Sequence, residues 1–265
     1  MGDQGIWLRF DEELRFFLAP RHRRQPAVHV ARDGTSTVGH LVTSLGVPLT
    51  EVGALRAGAR HVVASYRPED GDVIDVSPVP RPQHDEPYGE PLRFVLDVHL
   101  GTLARRLRLL GVDTRYTNDA GDDELIAAAN AERRVLLTQD RGLLRRNVLD
   151  RGGYVRGAQP DQQLRDVLER FAPALAPWTR CAACNGLLAA VPKSQVEREL
   201  EPGTRRRYQQ FARCPDCGQV YWRGAHNPRL QRIVAAAEAI VSQSQRQRQS
   251  QNQRQSHDRD EAPGT

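Results

Sequence analysis

Four cysteines in two C-x-x-C pairs constrain the fold of this chain more than any other feature. The pairs are Cys181 with Cys184 and Cys214 with Cys217, and 29 residues lie between them. Two such pairs supply the four thiolates of a tetrahedral Zn²⁺ site, and a glycine close behind each pair permits the tight turn of a knuckle. The spacing predicts a zinc ribbon with one structural Zn²⁺, because four thiolates leave no open coordination position.

The segment between the two pairs is long and basic. Residues 193–211, KSQVERELEPGTRRRYQQF, fit a helical insertion into the ribbon. Arginines and aromatic residues in this region would suit nucleic-acid binding through charge and stacking. For Tyr221 and Trp222 we favour the alternative that they pack in the small core of the ribbon, because zinc modules have few core residues. The residues concerned are Arg205, Arg206, Arg207, Arg213, Tyr208, Tyr221 and Trp222.

Residues 93–138 alternate apolar strands with segments of helical periodicity. Strands are predicted at 93–97, 112–116 and 134–138, and helices at 100–111 and 122–134. Strands that alternate with helices form parallel sheets with right-handed crossovers. The pattern therefore predicts an α/β fold, a parallel sheet with flanking helices.

Acidic residues follow the strands of this segment. Asp97 ends the first strand, Asp140 comes just after the third, and Asp122 and Asp123 open the helix after the second. Ligands of open α/β sheets gather at the carboxyl ends of the strands, so we expect these carboxylates on one edge. Clustered carboxylates repel unless a cation lies among them, and hard oxygen ligands suit Mg²⁺ or Mn²⁺. The pattern predicts a catalytic metal site for cleavage of phosphodiester bonds.

Most of these acids also have a purely structural interpretation. Asp122 or Asp123 is an ordinary first-turn residue of a helix, where the helix dipole favours acids. Asp140 could open a turn before the next helix, whereas Asp97 has little local use directly after an apolar strand. The shared edge favours the metal site for the set, with Asp123 as a supporting residue or a substitute for Asp122.

Basic and hydroxyl side chains near the acids leave two interpretations open. Arginines of the first helix lie away from its leucines and others follow Asp140, so they could contact RNA phosphates or form an ordinary solvent-exposed helix surface. Arg106 is one of the arginines of the first helix, and Arg146 is one of those that follow Asp140. The candidates for nucleic-acid contact are Arg105, Arg108, Arg141, Arg145 and Thr138.

The N-terminal residues predict two strands, a helix and two further strands. The first strands are expected at 6–10 and 27–32, the helix at 35–48, and the last strands within 61–79. This is a ubiquitin-like β-grasp order, and residues 67–79 resemble the last turn and strand of the sulfur-carrier proteins of molybdopterin and thiamine synthesis. Those carriers end in Gly-Gly, which this segment lacks, so we interpret the domain as a docking or binding module that could bind a protein partner.

The chain resembles the Mut-seven C-terminal RNase domain in two stretches, RFVLDVHLGTLARRLRLLGVDTRY and DDELIAAANAERRVLLTQDRGLL. The resemblance extends through the cysteine region, from about residue 92 to residue 235. It implies a PIN-like nuclease fold that acts on RNA, with Asp97, Asp122 and Asp140 as the acids of the active site. Full-length relatives also have a ubiquitin-like N-terminal domain, as this chain is expected to have.

Two positions differ from the residues common in the family, and two others are further candidates for the active site. Gln139 stands where the family commonly has Arg, and Arg106 stands where an aromatic residue is common. Many PIN-like nucleases use a fourth acid, for which Asp161 is the candidate, although Asp161 could instead be the N-cap of a helix at 163–171. His226 matches a family His and could contact substrate or lie at the surface.

Composition changes mark the expected domain boundaries. Five prolines within residues 77–91 predict a stiff linker, and the Gln/Ser/Arg-rich end of the chain predicts disorder. The predicted organisation is a β-grasp domain at 1–80, a linker at 81–91, a PIN-like nuclease domain at 92–172, a zinc ribbon at 173–235, and a helical end with a disordered polar tail at 236–265.

Charge and hydropathy favour some classes of partner and location over others. A formal net charge of +5 is compatible with a nucleic-acid partner. No apolar run approaches the roughly 18 residues of a membrane span, and no secretory signal is recognisable, so we expect a cytoplasmic protein without membrane contact. The expected function is that of a metal-dependent ribonuclease. The alternatives are an RNA- or ribosome-associated binding protein with little catalysis, and a β-grasp adaptor.

Overall fold

The computed structural model describes residues 5–83, 91–222 and 228–260. His226 and the larger part of the predicted linker lie outside the described residues. Within these ranges, no helix combines the length and the apolar character needed to cross a bilayer.

The chain forms two compact units. One consists of Met1–Pro80 with Ala120–Val155, and the other consists of Arg81–Asp119 with Arg156–Thr265. The segment predicted as a nuclease domain, 92–172, therefore contributes elements to both units.

Five strands form the sheet in the N-terminal part of the first unit. They are β1 (Gly5–Phe10), β2 (Val28–Ala31), β3 (Val52–Ala57), β4 (Arg60–Val62) and β5 (Val73–Pro78). The strand order is β2-β1-β5-β3-β4, in which β1 runs parallel to β5 and the other neighbours are antiparallel. This arrangement confirms the predicted β-grasp domain.

Two short helices, α1 (Glu12–Arg15) and α2 (Val38–Ser44), accompany this sheet. The Thr37 side chain caps α2 by accepting the His40 N–H. The sequence pattern does not predict β3, because Gly53 interrupts the strand and a register shift follows. The core consists of Ile6, Leu8, Phe10, Leu14, Phe17, Leu18, Val28, Val38, Leu41, Val42, Val47, Leu55, Ile74 and Val76.

The middle segment follows the predicted alternation of strands and helices. Its elements are β6 (Phe94–Leu96), a 3₁₀ turn (Val98–Leu100), α3 (Gly101–Leu109), β7 (Thr114–Arg115), α4 (Asp122–Ala131), β8 (Val135–Thr138), α5 (Arg141–Leu144) and β9 (Gly152–Tyr154). β6 pairs in parallel with β7, and β8 pairs in parallel with β9, which confirms parallel strands with flanking helices. The sequence pattern does not predict β9, because glycine is a poor strand former.

The next helix, α6 (Pro160–Phe171), begins with a capping box rather than with Asp161. The Gln159 side chain accepts a backbone N–H of the first turn, and Gln162 Oε1 accepts the Gln159 N–H at 3.1 Å. Asp161 lies within the first turn, where its Oδ1 is 2.6 Å from Arg106 Nη1. The N-cap interpretation of Asp161 is therefore wrong, because its carboxylate binds a guanidinium of α3.

The first residues of the predicted linker bind α6. Arg81 Nη1 lies 2.7 Å from Asp166 Oδ1, and the Gln83 N–H donates to the Arg170 carbonyl oxygen at 2.6 Å. Arg170 is fully buried, and its Nε donates to Gln83 Oε1 at 2.8 Å. These bonds make the start of the linker a fixed part of the second unit.

The cysteine region contains three antiparallel strands and an insertion. Its elements are β10 (Ala189–Val191), α7 (Lys193–Val196), a 3₁₀ turn (Glu197–Glu199), α8 (Pro202–Arg207), β11 (Phe211–Arg213) and β12 (Val220–Trp222). The strand order is β10-β11-β12, and the insertion is helical as predicted, although Pro202 starts a separate helix. Val196, Leu200 and Phe211 form its small core, against which Tyr208 packs.

The last helix, α9 (Pro228–Asp260), is 33 residues long and packs against α6. Its buried residues, Val234, Ala237, Val241 and Ser244, recur at helical spacing and form one stripe. The expectation for 236–265 is a helical end followed by a disordered polar tail; the helix is present and extends as far as Asp260. Glutamine and arginine are good helix formers, and no Gly or Pro interrupts this run.

Candidate functional site

The four cysteine side chains of the ribbon lie together. Their sulfur atoms are all within 4.8 Å of one another, with Cys181 Sγ 3.6 Å from Cys217 Sγ and Cys184 Sγ 3.4 Å from Cys214 Sγ. Four sulfurs around a Zn²⁺ at its usual bond length are about 3.8 Å apart, so the cluster fits a tetrahedral ion. Among the described residues, no other group of three or more Cys, His, Asp or Glu side chains has this spacing.

The two knuckles use their glycines differently. In the second, Gly218 has a φ of +77° and its N–H donates to the Cys214 carbonyl oxygen at 2.9 Å. In the first, Asn185 is the left-handed residue, with a φ of +77°. A Cβ atom on Gly186 would lie 2.1 Å from Asp216 Oδ2 and 3.0 Å from Cys214 Sγ. Gly186 has no positive φ, so its place in the first knuckle reflects the close approach of the second knuckle rather than the turn itself.

Tyr221 lies against the cluster, with its hydroxyl 3.1 Å from Cys181 Sγ. Burial disfavours the Cys181 thiolate, but hydrogen bonds from Tyr221 and from backbone amides outweigh burial and lower the pKa of Cys181 to about 7. Burial raises the pKa of Cys184 to about 12. Tyr221 is half-buried beside a cysteine sulfur, so its packing in the ribbon core stays a prediction. For Trp222 that interpretation is wrong, because its side chain is 42% exposed outside the ribbon core.

Asp140 comes directly after β8 and is the N-cap of α5. Its Oδ1 accepts the N–H groups of Gly142 at 2.6 Å and Leu143 at 3.3 Å, and its own N–H donates to Thr138 Oγ1 at 2.8 Å. Its Oδ2 accepts no hydrogen bond from the described part of the chain. Asp140 therefore caps a helix and still has one oxygen available to a ligand at the end of a strand.

The structure distinguishes the two acids that open α4. Asp123 Oδ1 lies 2.6 Å from Arg146 Nη2, so this carboxylate already has a cationic partner. Asp122 is exposed and forms no ion pair or side-chain hydrogen bond within the described ranges. Of the two, Asp122 is the acid available for a ligand.

Asp97 follows β6 directly and is 8% exposed. Its backbone begins the following 3₁₀ turn, but its side chain does not cap that turn. Asp97, Asp122 and Asp140 each offer carboxylate oxygens, the hard donors that Mg²⁺ and Mn²⁺ prefer. No group of three acids has the close spacing of the cysteine cluster within the ranges described, so the catalytic metal site stays a prediction.

Two arginines of α3 are buried rather than exposed. Arg108 is 3% exposed, and it donates to the carbonyl oxygens of Thr114 at 2.9 Å and Ala183 at 2.6 Å. Burial lowers the pKa of Arg108. Arg106 is 9% exposed and binds the carboxylate of α6 described above. The expectation that Arg108 contacts RNA is corrected, because its donors connect α3 to β7 and to the first knuckle.

The other predicted nucleic-acid contacts differ in exposure. Arg105 and Arg145 are exposed. The Arg141 guanidinium lies over the Phe16 ring, 3.9 Å from its centroid, in a cation–π contact. Thr138 is fully buried, and its hydroxyl oxygen accepts a backbone N–H. Arg105 and Arg145 therefore remain the candidates that solvent reaches most freely.

Replacing Arg108 with Met is expected to destabilise the protein by about 3 kcal/mol, because several buried carbonyl oxygens lose their donor. Arg105→Met, on the exposed face of the same helix, is the matched control and should change stability by no more than about 0.5 kcal/mol. Urea unfolding of the two zinc-loaded variants measures the difference. Equal stabilities would contradict the structural role of Arg108.

Two family models match the sequence. The model described as the Mut7-C RNAse domain matches residues 92–234, and the model described as Mut7-C ubiquitin matches residues 3–84. Comparison with curated proteins and with solved structures finds no match. The first match covers more than half of the 265 residues and includes both the strand-end acids and the cysteine cluster. The chain therefore belongs to the Mut7-C RNAse domain family and has a Mut7-C ubiquitin-like domain at its N-terminal side.

Proposed function

We propose that this chain is a metal-dependent ribonuclease that hydrolyses RNA phosphodiester bonds in the cytoplasm. The match of residues 92–234 to an RNase domain is the observation that supports it most strongly. Asp97, Asp122 and Asp140 would hold Mg²⁺ or Mn²⁺. Such an ion, when bound, activates water and stabilises the leaving oxygen. The cysteine cluster would hold one structural Zn²⁺.

The contacts of Asp140 suit it to bind a hard cation. Two backbone N–H groups bind Oδ1, whereas Oδ2 accepts no hydrogen bond from the described residues. The bonds to Oδ1 fix the orientation of the side chain, so little conformational entropy is lost when Oδ2 binds a ligand. The residue is exposed at the end of β8, where solvent and RNA can reach it.

Exposed arginines would bind the RNA backbone. Arg145 ends α5, the helix that Asp140 caps, and it forms no ion pair within the described residues. Arg105 lies on the exposed face of α3, and within the described ranges its side chain forms no ion pair and one hydrogen bond, to Thr102 Oγ1 at 3.5 Å. Guanidinium groups bind phosphate oxygens well, so these two arginines would position the substrate.

Asp122 and Asp123 provide a matched pair of variants. Asp122→Asn is expected to reduce metal-dependent RNA cleavage about 100-fold or more, because it removes a charged ligand. Asp123→Asn removes the same charge one residue later, where Arg146 already binds the carboxylate, and should change the rate by no more than about threefold. Initial rates on labelled RNA with Mn²⁺ measure both. Equal losses in the two variants would contradict the assignment of Asp122.

A further inference from the structure

One surface of the cysteine region is both strongly basic and aromatic. Arg205, Arg206 and Arg207 end α8 and are exposed, and none of them has a hydrogen bond or ion pair among the described side chains. Tyr208 follows them directly, and Trp222 ends β12. We name these five residues the ribbon face.

The aromatic rings of the ribbon face form a pair. The ring centroids of Tyr208 and Trp222 are 6.3 Å apart, with an angle of 32° between the planes. Trp222 is 42% exposed, although burial of so large an apolar ring would stabilise a small module. Among the described strands, β12 is the edge strand of its sheet, and none of them borders Trp222 on its outer side. The pair therefore presents aromatic surface to a ligand.

The ribbon face is held in place by its own module. The Tyr208 N–H donates to the Thr204 carbonyl oxygen at 3.0 Å, which ends α8, and Tyr208 packs on the core around Phe211. Trp222 is the register partner of Phe211 in the neighbouring strand. Because both rings are fixed through one core residue, a ligand that stacks on them meets a preorganised surface.

The charges of the insertion favour an anionic partner. Residues 193–213 contain six basic and three acidic side chains. One acid, Glu199, forms an ion pair with Arg213 rather than with the arginines of α8. No carboxylate of the described residues forms an ion pair with the three arginines of the ribbon face. An exposed tryptophan beside several free guanidinium groups matches both parts of a polynucleotide, its bases and its phosphates.

We propose that the ribbon face binds single-stranded RNA, with Trp222 and Tyr208 stacking on bases and the arginines contacting phosphates. Single strands are favoured over duplexes because stacking on a side chain requires a base that is not already stacked between base pairs. The proposal rests on RNA being the substrate of this protein. Its residues are distinct from the proposed catalytic acids, so binding and cleavage can be tested separately.

The test measures binding of a fluorescein-labelled oligouridylate of about 12 nucleotides by full-length, zinc-loaded protein without Mg²⁺ or Mn²⁺. Changing Arg205, Arg206 and Arg207 to Gln together should weaken binding about 10-fold or more. The slope of the logarithm of the binding constant against the logarithm of salt concentration should become shallower by roughly 1 to 2, because each lost phosphate contact reduces it by about 0.7. Trp222→Leu should weaken binding at least about fivefold, and Trp222→Phe should keep it within about threefold of wild type.

The matched control changes Arg21, Arg23 and Arg24, three exposed arginines of the first unit, to Gln. Zinc content and thermal unfolding check that every variant is folded. The proposal is overturned if the control weakens binding as much, if neither the arginine triple nor Trp222→Leu has an effect, or if a duplex of the same length binds as tightly. RNA cleavage is assayed separately, so binding that depends on the ribbon face without cleavage would refute only the proposed ribonuclease.

Discussion

Asp140→Asn is expected to reduce the rate of metal-dependent RNA cleavage by about 100-fold or more, while the protein stays folded. The reason lies in the two functions of this side chain. Oδ1 caps α5 by accepting two backbone N–H groups, and asparagine caps helices about as well as aspartate. The substitution therefore removes the negative charge that a divalent ion needs and leaves the cap intact.

Asp140→Ala separates the two functions. It removes the charge and the cap together, so cleavage should be lost and stability should fall by about 1 kcal/mol. Initial rates with Mn²⁺ and thermal unfolding should be measured for both variants. If Asp140→Asn cleaves RNA at the wild-type rate, Asp140 is only a helix cap and the active-site assignment is wrong.

The second large effect is expected at the cysteine cluster. Cys214 is fully buried, and its sulfur lies 3.4 Å from that of Cys184. Cys214→Ser should reduce bound zinc from one ion per chain to nearly none and unfold the ribbon. The binding free energy of structural Zn²⁺, on the order of 10 kcal/mol, is also folding free energy for so small a module.

Tyr221→Phe is the control for this effect. It removes the hydroxyl beside Cys181 without removing a ligand, so the protein should still bind one zinc ion. Metal analysis of the purified variants measures the zinc content, and proteolysis within residues 173–222 measures unfolding of the ribbon. A Cys214→Ser variant that keeps a full zinc ion and resists proteolysis would contradict a structural four-cysteine site.

The parts of the fold that depend on local pattern could be predicted from the sequence. Apolar runs that end in Asp97 and Asp140 place β6 and β8 correctly, because a strand buried on both faces needs continuous apolar residues. The cysteines could be paired from spacing alone, since C-x-x-C fits a knuckle. For the acids, the sequence predicts position along the chain, but it cannot say that Asp123 is paired with Arg146 whereas Asp122 is not.

Contacts between distant segments could not be predicted. Arg108 looks like an exposed helix residue, but it is buried, and one of its acceptors, Ala183, lies 75 residues later in the chain. The carbonyl oxygens of a knuckle need donors, and no periodicity indicates which arginine supplies them. Likewise, the cation–π contact between Arg141 and Phe16 joins two segments whose local patterns are unrelated.

We propose that this chain cleaves RNA with a divalent ion held by strand-end acids. The most direct test incubates total RNA with the zinc-loaded protein and Mn²⁺, comparing wild type with Asp97→Asn. Wild type is expected to cleave RNA only when Mn²⁺ or Mg²⁺ is added, and Asp97→Asn is expected to leave RNA intact while keeping its zinc and its thermal stability. Intact RNA after incubation with wild type, or equal cleavage by the two proteins, would contradict the account.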